Sequence, residues 1–193
     1  MRARRWTSPL PNAKRQAVSD LSFTILTERP EDAGPIERLT ERTFGPGRYA
    51  RTAYRIREQL GHRLDLSYTA RVGTLLVGSV RLTPVRIGET PALLLGPLTV
   101  EPPFRDRGIG KVLMERAMAD AKAKGHRLVV LVGDKPYYAR VGFKLIPQGQ
   151  VKLDGPVDPA RMLYAELVEG ALAGVKGIVR PDWDSASEAQ GTT

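Results

Sequence analysis

The alternation of apolar and polar residues along the chain predicts a mixed α/β fold. Apolar runs typical of strands alternate with stretches whose apolar residues recur every three to four positions, as in helices packed on a sheet. Strands are expected at residues 21–26, 66–72, 74–87, 92–100, 128–132, 143–146 and 162–167. Helices are expected at residues 31–44, 49–60, 108–124 and 136–141, with a turn at 45–47.

The chain shows no internal repeat and no linker, which favours a single domain over residues 20–170. Residues 1–19 carry five basic side chains and no acidic one, so a basic, disordered N-terminal extension is expected there. Residues 171–193 are expected to form a C-terminal extension whose last residues are mobile.

The composition narrows the chemistry that the chain can perform. The absence of cysteine from all 193 residues excludes disulfides, a thiolate nucleophile and cysteine-ligated metals. Two histidines are too few for most histidine-based metal sites, so no metal is expected. No apolar run approaches the roughly 20 residues that cross a bilayer. The basic start also lacks the apolar segment of a secretory signal, so we expect a cytoplasmic protein without membrane contact.

A formal net charge of +9 predicts attraction to polyanions or to phosphorylated small molecules, although a merely basic surface explains it equally well. Nucleic-acid binding is a further hypothesis that this charge suggests. The chain lacks the zinc spacing and the aromatic-rich strand motif of common nucleic-acid modules, and only 6% of its residues are aromatic. These features argue against a nucleic-acid partner.

The segment from Leu98 to Leu113 is the most informative part of the chain. A strand is followed by two prolines and by a glycine-rich turn that opens directly into a helix. The first turn of a helix has unpaired N–H groups and favours an anion. Gly108 and Gly110 allow close approach to those donors, and basic side chains surround them at Arg105, Arg107 and Lys111. A pyrophosphate is the anion expected here.

Two common phosphate motifs do not fit this segment. A P-loop would need Gly at Arg105 and Ser or Thr at Val112, and a dinucleotide fingerprint would need Gly at Leu113. The pattern that fits is Arg/Gln-x-x-Gly-x-Gly/Ala after Val-x-Pro, present as Arg105-Asp106-Arg107-Gly108-Ile109-Gly110 after Val100-Glu101-Pro102.

On this loop the sequence resembles the GNAT N-acetyltransferase superfamily, whose members bind acetyl-CoA with it. A second motif, Tyr138-Ala139-Arg140-Val141-Gly142-Phe143, matches the family's Tyr-x-x-x-Gly-Phe element. The run Gly133-Asp134-Lys135-Pro136-Tyr137-Tyr138 is similar to that of one branch of predicted acetyltransferases. The resemblance covers residues 20–170 and implies the GNAT fold. That fold has a mixed, mostly antiparallel sheet of about six to seven strands and about four helices.

The resemblance also implies roles for individual residues. Backbone groups of the strand after a Gly96–Pro97 bulge would contact the pantetheine arm of acetyl-CoA, at Leu98, Thr99 and Val100. The loop would hold the pyrophosphate, at Arg105, Asp106, Arg107, Gly108, Ile109, Gly110 and Lys111. Tyr138 would donate a proton to the departing CoA thiolate, with Arg140 as a candidate cation beside it. Tyr137 is expected to be structural.

The general base is left open by the sequence. Family members often carry a Glu where this chain has Gly96. Asp134, Glu89, a chain of waters or an acceptor amine of low pKa are the alternatives. The missing Glu also suggests an alternative function, a non-catalytic CoA-binding regulatory module.

The acceptor amine is likewise unidentified from the sequence, and a homodimer is expected only from the family. Four arginines of the second predicted helix and the loop before it could recruit an acidic substrate, although a solvated helix face is the favoured interpretation: Arg48, Arg51, Arg55 and Arg57. His62 and His126 lie beside glycines at predicted helix ends, where capping or surface exposure is favoured over catalysis.

Overall fold

The computed structural model describes residues 22–45 and 52–183, which build one sheet with helices packed on its two faces. Within these residues the strands are β1 (Thr24–Thr27), β2 (Tyr68–Val72), β3 (Leu75–Ile87), β4 (Thr90–Val100), β5 (Leu128–Val132), β6 (Lys144–Leu145), β7 (Val151–Leu153), β8 (Met162–Glu166) and β9 (Gly177–Pro181). The helices are α1 (Ala33–Phe44), α2 (Thr52–Leu60), α3 (Ile109–Ala123) and α4 (Lys135–Tyr138).

The sheet is mixed and mostly antiparallel, as predicted. Its main path runs β1-β2-β3-β4-β5-β8-β6, and β9 pairs with both β3 and β7. Only β4–β5 and β7–β9 are parallel pairs. The fold class and the four helices of the described residues therefore agree with the sequence-based expectation.

Two strands were not predicted, β7 and β9. Because β9 pairs with β3 along residues 85–87, the sheet continues past residue 170, the expected end of the domain. Some predicted segments lie outside the described residues. They are the extension at 1–19, residues 46–47 of the expected turn and the start of the second predicted helix, residues 49–51.

Alternate residues of the central strands face two separate apolar clusters. Leu93 and Leu95 of β4 face the cluster that contains α3, whereas Ala92 and Leu94 face the cluster that contains α2. The continuous apolar run of β5 divides between the clusters in the same way, which confirms a strand buried on both faces. Helix α3 buries its predicted face, with each of these side chains at most 1% exposed: Ile109, Leu113, Ala117 and Ala121.

Strands β4 and β5 separate after a short stretch of pairing, and this separation positions the site. They pair only at Leu93 and Leu94 of β4. The β3–β4 register then shifts, with Leu82 opposite Leu95 and Val80 opposite Leu98, so that Gly96–Pro97 forms the predicted bulge. Beyond the bulge β4 stays paired with β3 while β5 stays paired with β8. A gap opens between the two strands.

Candidate active site

A cleft of about 960 Å³ occupies the gap between β4 and β5. Strand β4 after the bulge forms one wall, and residues 132–134 after β5, with helix α4, form the opposite wall. The loop before α3 closes one end. The other part is lined by residues of the first two helices and is called here the α1–α2 end: Thr40, Thr43, Tyr54 and Arg57.

Most of the residues predicted to bind the cofactor line this cleft. Eight of the ten do so: Leu98, Val100, Arg105, Asp106, Gly108, Ile109, Gly110 and Lys111. The Thr99 side chain faces the other way and shares a hydrogen bond of 2.7 Å with Ser79. The Arg107 guanidinium lies over the Phe104 ring, 5.9 Å from its centroid. For Thr99, only the backbone role stays available.

The loop before α3 has the backbone that an anion site requires. Gly108 ends the loop with a φ of 80°, in the left-handed region that favours glycine. The Val112 N–H donates to the Gly108 carbonyl at 3.0 Å, so the N–H groups before Val112 precede the helical hydrogen-bond ladder. Arg105, Lys111 and Arg140 line the cleft around this point. Positive charge and unpaired donors therefore coincide at the start of α3.

Tyr137 contributes more to the cleft than the structural role expected for it. A Cβ atom at Gly110 would lie 2.3 Å from the Tyr137 hydroxyl oxygen, so this hydroxyl lies over the first turn of α3. The ring packs edge-on against Tyr138, with centroids 5.1 Å apart. The absence of a side chain at Gly110 thus leaves room for the Tyr137 hydroxyl at the helix start.

Tyr138 is held against the wall of the cleft by a glycine. A Cβ atom at Gly133 would lie 2.2 Å from Cε2 of Tyr138, and the Phe143 ring contacts the other side at 5.9 Å between centroids. Burial raises the pKa of Tyr138 to about 12, and the nearby Arg57 guanidinium partly opposes this rise. The cations that lower the pKa of Tyr138 are Arg57 and, to a smaller extent, Arg161, whereas Arg140 lowers the pKa of Tyr137.

The candidates for a general base differ in whether they line the cleft and in what they are paired with. Gly96 has a φ of 125°, and no side chain there can supply a carboxylate. Asp134 lines the cleft but pairs with Arg161 at 3.2 Å. Glu89 lies in the turn between β3 and β4 and does not line the cleft. His62 is bound to the buried Glu28 at 3.0 Å, between Nε2 and Oε1.

Arg57 is the site residue that the sequence-based interpretation placed wrongly. It was assigned to a solvated helix face, yet it lines the cleft and donates from Nη2 to the Leu95 carbonyl at 3.2 Å. Arg57 follows the buried Ile56 and lies one turn after the buried Ala53. That helical spacing was the available signal. Arg55 on the same helix is exposed, as expected.

No group of three or more His, Asp or Glu side chains in the described part of the chain is arranged to hold a metal ion. Over the same residues, none of the helices combines the length and apolar character needed to cross a membrane.

Known proteins share sequence and fold with this chain. The acetyltransferase (GNAT) domain family matches residues 65–145, which run from the segment before β2 to β6. An uncharacterized N-acetyltransferase of Escherichia coli K12, YjhQ, is 29% identical over 126 residues, which are 63% of this chain and 70% of that protein.

Two solved structures resemble the fold over most of its length. The GNAT family N-acetyltransferase YhbS of Escherichia coli, crystallised with CoA, is 26% identical with a TM-score of 0.72 and covers 92% of this chain and 94% of its own. A GNAT family acetyltransferase of Brucella melitensis, crystallised with acetyl-CoA, is 28% identical with a TM-score of 0.64. The match covers 84% of this chain and 97% of the Brucella protein.

The narrower branch suggested by residues 133–138 stays a prediction. The family match spans the separated strands and the glycine-rich loop, and the structural likeness extends over nearly the whole chain. Residues 65–145 of this chain match the GNAT acetyltransferase domain, and its fold resembles GNAT acetyltransferases over most of its length.

Proposed function

We propose that the protein transfers an acetyl group from acetyl-CoA to a primary amine by direct attack in a ternary complex. The observation that carries this proposal is the single cleft that joins the anion site at the start of α3 to Tyr138 and the α1–α2 end. The pyrophosphate of acetyl-CoA would bind the loop, its pantetheine arm would run along β4, and the acceptor would enter at the α1–α2 end. CoA and acetyl-CoA are the ligands of the two related structures.

The reaction forms one C–N bond and breaks one C–S bond. The amine nitrogen attacks the thioester carbonyl carbon, and the collapse of the tetrahedral intermediate expels the CoA thiolate. The backbone N–H of Leu98 would polarise the carbonyl oxygen, since β4 beyond the bulge lines the cleft. The chain has no cysteine, so a cysteine-linked acetyl-enzyme plays no part.

Tyr138 would donate the proton that the thiolate receives. With a pKa of about 12 its hydroxyl is fully protonated at neutral pH, so the acid form is always present. Transfer to a thiolate of pKa about 8.5 is uphill by roughly 5 kcal/mol, a cost that would be larger without the Arg57 charge, which lowers the pKa of Tyr138.

The amine must lose its proton without a glutamate at position 96. A lysine-type amine costs roughly 4.6 kcal/mol to neutralise at pH 7, whereas an amine with a pKa of about 7.8 costs only about 1 kcal/mol. The proton would therefore pass to solvent, either directly from an amine of low pKa or through a chain of waters. The cytoplasmic location and the homodimer stay predictions, which cell fractionation and light scattering would test.

Calorimetry and a thiol-release assay test the proposal. Acetyl-CoA should bind the wild type, and Gly110→Asp should abolish binding because it places a carboxylate beside the phosphate site and against the Tyr137 hydroxyl. Val112→Asp is the matched control, since Val112 lies on the same helical turn, is 37% exposed and does not line the cleft.

Unchanged affinity in Gly110→Asp would refute the position of the pyrophosphate. Binding of acetyl-CoA without thiol release from any amine in a broad panel would favour the non-catalytic CoA-binding module instead. Release of CoA with an acetylated amine as product establishes the transfer.

A further inference from the structure

Buried polar atoms without a hydrogen-bond partner collect at the α1–α2 end of the cleft. A small cavity of about 160 Å³ lies beside this end and shares five lining residues with the cleft: Thr40, Tyr54, Arg57, Gly96 and Pro97. Five buried side-chain N or O atoms lack a partner in the described part of the chain. Four of them belong to residues that line the cleft or this cavity: Thr40 Oγ1, Thr43 Oγ1, Arg57 Nε and Thr83 Oγ1.

Arg57 is a buried cation that no carboxylate of the described residues neutralises. Among the residues that the structure describes, its guanidinium makes one hydrogen bond, from Nη2 to the Leu95 carbonyl, and its Nε–H finds no acceptor. Burial lowers the pKa of Arg57 to about 10, which still leaves it charged at neutral pH. Other partly buried arginines of the fold are paired, Arg71 with Asp32 and Arg81 with Glu28. A buried charge without a partner raises the free energy of the folded protein unless a ligand of opposite charge pairs with it.

Gly96 gives this guanidinium the space that it occupies. A Cβ atom at Gly96 would lie 2.7 Å from Arg57 Nη2, so any side chain at position 96 would displace the guanidinium. The cleft therefore presents a positive charge at the position where the family resemblance implies a glutamate. The glycine that stands in place of that glutamate is therefore what allows Arg57 to lie at this position.

We propose that Arg57 binds a carboxylate of the acceptor, which makes the substrate a small amine that also carries a carboxylate. This inference rests on the proposed transfer to an amine. A guanidinium offers several N–H donors in one plane and can bind the two oxygens of a carboxylate together. The hydroxyls of Thr40 and Thr43 can donate to the remaining lone pairs.

The position of Arg57 also limits the length of the acceptor. Its guanidinium contacts β4 at Leu95 and Gly96, two to three residues before Leu98, where the thioester is expected. The carboxylate would thus lie close to the reacting carbon. We therefore expect few atoms between the amine and the carboxylate of the substrate.

Matched pairs of amines test this inference with acetyl-CoA in a thiol-release assay. Glycine, β-alanine and 4-aminobutyrate are each compared with the corresponding amide, which lacks the negative charge. Each rate is divided by the fraction of unprotonated amine at the assay pH, because the carboxylate also raises the pKa of the amine. The wild type should favour each acid by about ten- to a hundredfold in kcat/KM, the range for a hydrogen bond to a charged group. The shorter acids should be better substrates than 4-aminobutyrate.

Arg57→Gln should remove the preference in kcat/KM for each acid over its amide, and Arg57→Lys should retain part of it. A lower kcat for acids and amides alike is also expected in Arg57→Gln, because the variant lacks the charge that lowers the pKa of Tyr138. Arg55→Gln is the matched control, because Arg55 lies on the same helix, is exposed and does not line either cavity. Thermal unfolding and acetyl-CoA affinity of each variant show that it is folded.

Direct titration of β-alanine and its amide, with and without CoA, separates this inference from the transfer reaction. Selective binding of the acid that is lost in Arg57→Gln supports it, even where acetyl-CoA fails to bind and the proposed function is refuted. Equal or absent binding of acid and amide overturns it. An Arg57→Gln variant that keeps the wild-type ratio of kcat/KM between acid and amide also overturns it, since Arg57 would then act only on the reacting group.

Discussion

Replacement of Tyr138 by Phe tests the proposed general acid with little change in packing. The ring contacts with Gly133 and Phe143 are kept, and only the hydroxyl is removed. Loss of a general acid lowers kcat by about 10²- to 10⁴-fold. We expect a loss within this range in thiol release at saturating acetyl-CoA, with acetyl-CoA affinity unchanged.

The pH profile gives the same prediction a sharper form. Because the pKa of Tyr138 is about 12, only about one molecule in a thousand has an ionised Tyr138 at pH 9. The wild-type rate should rise as the amine loses its proton and then stay level to about pH 10. Tyr164→Phe, a half-buried tyrosine of β8 outside the cleft, should keep the full rate and the same profile.

Two results would contradict this reasoning. One is a Tyr138→Phe variant that keeps most of its kcat. The other is a wild-type rate that falls between pH 8 and 10 with an apparent pKa near 9, when that fall disappears in Tyr138→Phe.

Three further substitutions probe the supports of the site. Gly133→Ala should lower kcat by about tenfold or more, because its methyl group displaces the Tyr138 ring, as a thiol-release assay would show. Glu28→Gln should lower the free energy of unfolding at pH 7 by about 3 kcal/mol, because it leaves the Arg81 guanidinium without its carboxylate; urea titration measures this. Leu113→Ala, in a fully buried position, should cost about 2–5 kcal/mol in the same titration.

Control variants test the predictions for Gly133→Ala and Leu113→Ala. In a Tyr138→Phe background, Gly133→Ala should add little further loss of kcat, since both act on one hydroxyl. Val112→Ala, on the exposed side of α3, should change the free energy of unfolding by less than about 0.5 kcal/mol. A large further loss of kcat from Gly133→Ala in the Tyr138→Phe background would contradict the contact between Gly133 and Tyr138. Equal losses of unfolding free energy in Val112→Ala and Leu113→Ala would contradict the burial assigned to the two faces of α3.

The effect of Glu28 should also depend on pH. Burial alone would raise the pKa of Glu28, but hydrogen bonds from His62 and Arg81 outweigh it and hold this pKa below its ordinary value. A lowered pKa in the folded state stabilises the protein above pH of about 4.3, and the stabilisation is lost as the pH falls through the folded-state value. Glu28→Gln should therefore weaken the acid dependence of the unfolding free energy.

The segments that the sequence predicted well are those in which local pattern and tertiary packing agree. Helix α3 was predicted because Ile109, Leu113, Ala117 and Ala121 repeat at the spacing of one helix face, and that face is buried. The bulge at Gly96–Pro97 was predicted because proline cannot donate to the ladder.

The segments that were missed depend on partners far away in the chain. Strand β7 has three residues and no alternation long enough to detect, and β9 forms only because β3 offers a free edge at residues 85–87. Arg57 was predicted to be solvated because arginine is usually exposed, although its position on the helix places it next to the buried face. Only the fold shows that it donates a hydrogen bond to the Leu95 carbonyl. Tyr137 was missed because its contact with Gly110 joins α4 to the first turn of α3, two helices that β5 separates along the chain.

Strand β9 has a practical consequence for work with shortened forms of the protein. It covers the lateral edge of β3, with Val179 opposite Ile87 and Arg180 opposite Arg86, and Asp182 just beyond it binds Arg86 at 3.0 Å. Proteolysis or truncation near residue 170 would uncover backbone donors and acceptors able to pair with a neighbouring molecule. Loss of enzyme in such a preparation would then reflect aggregation and would carry no information about the chemistry in the cleft.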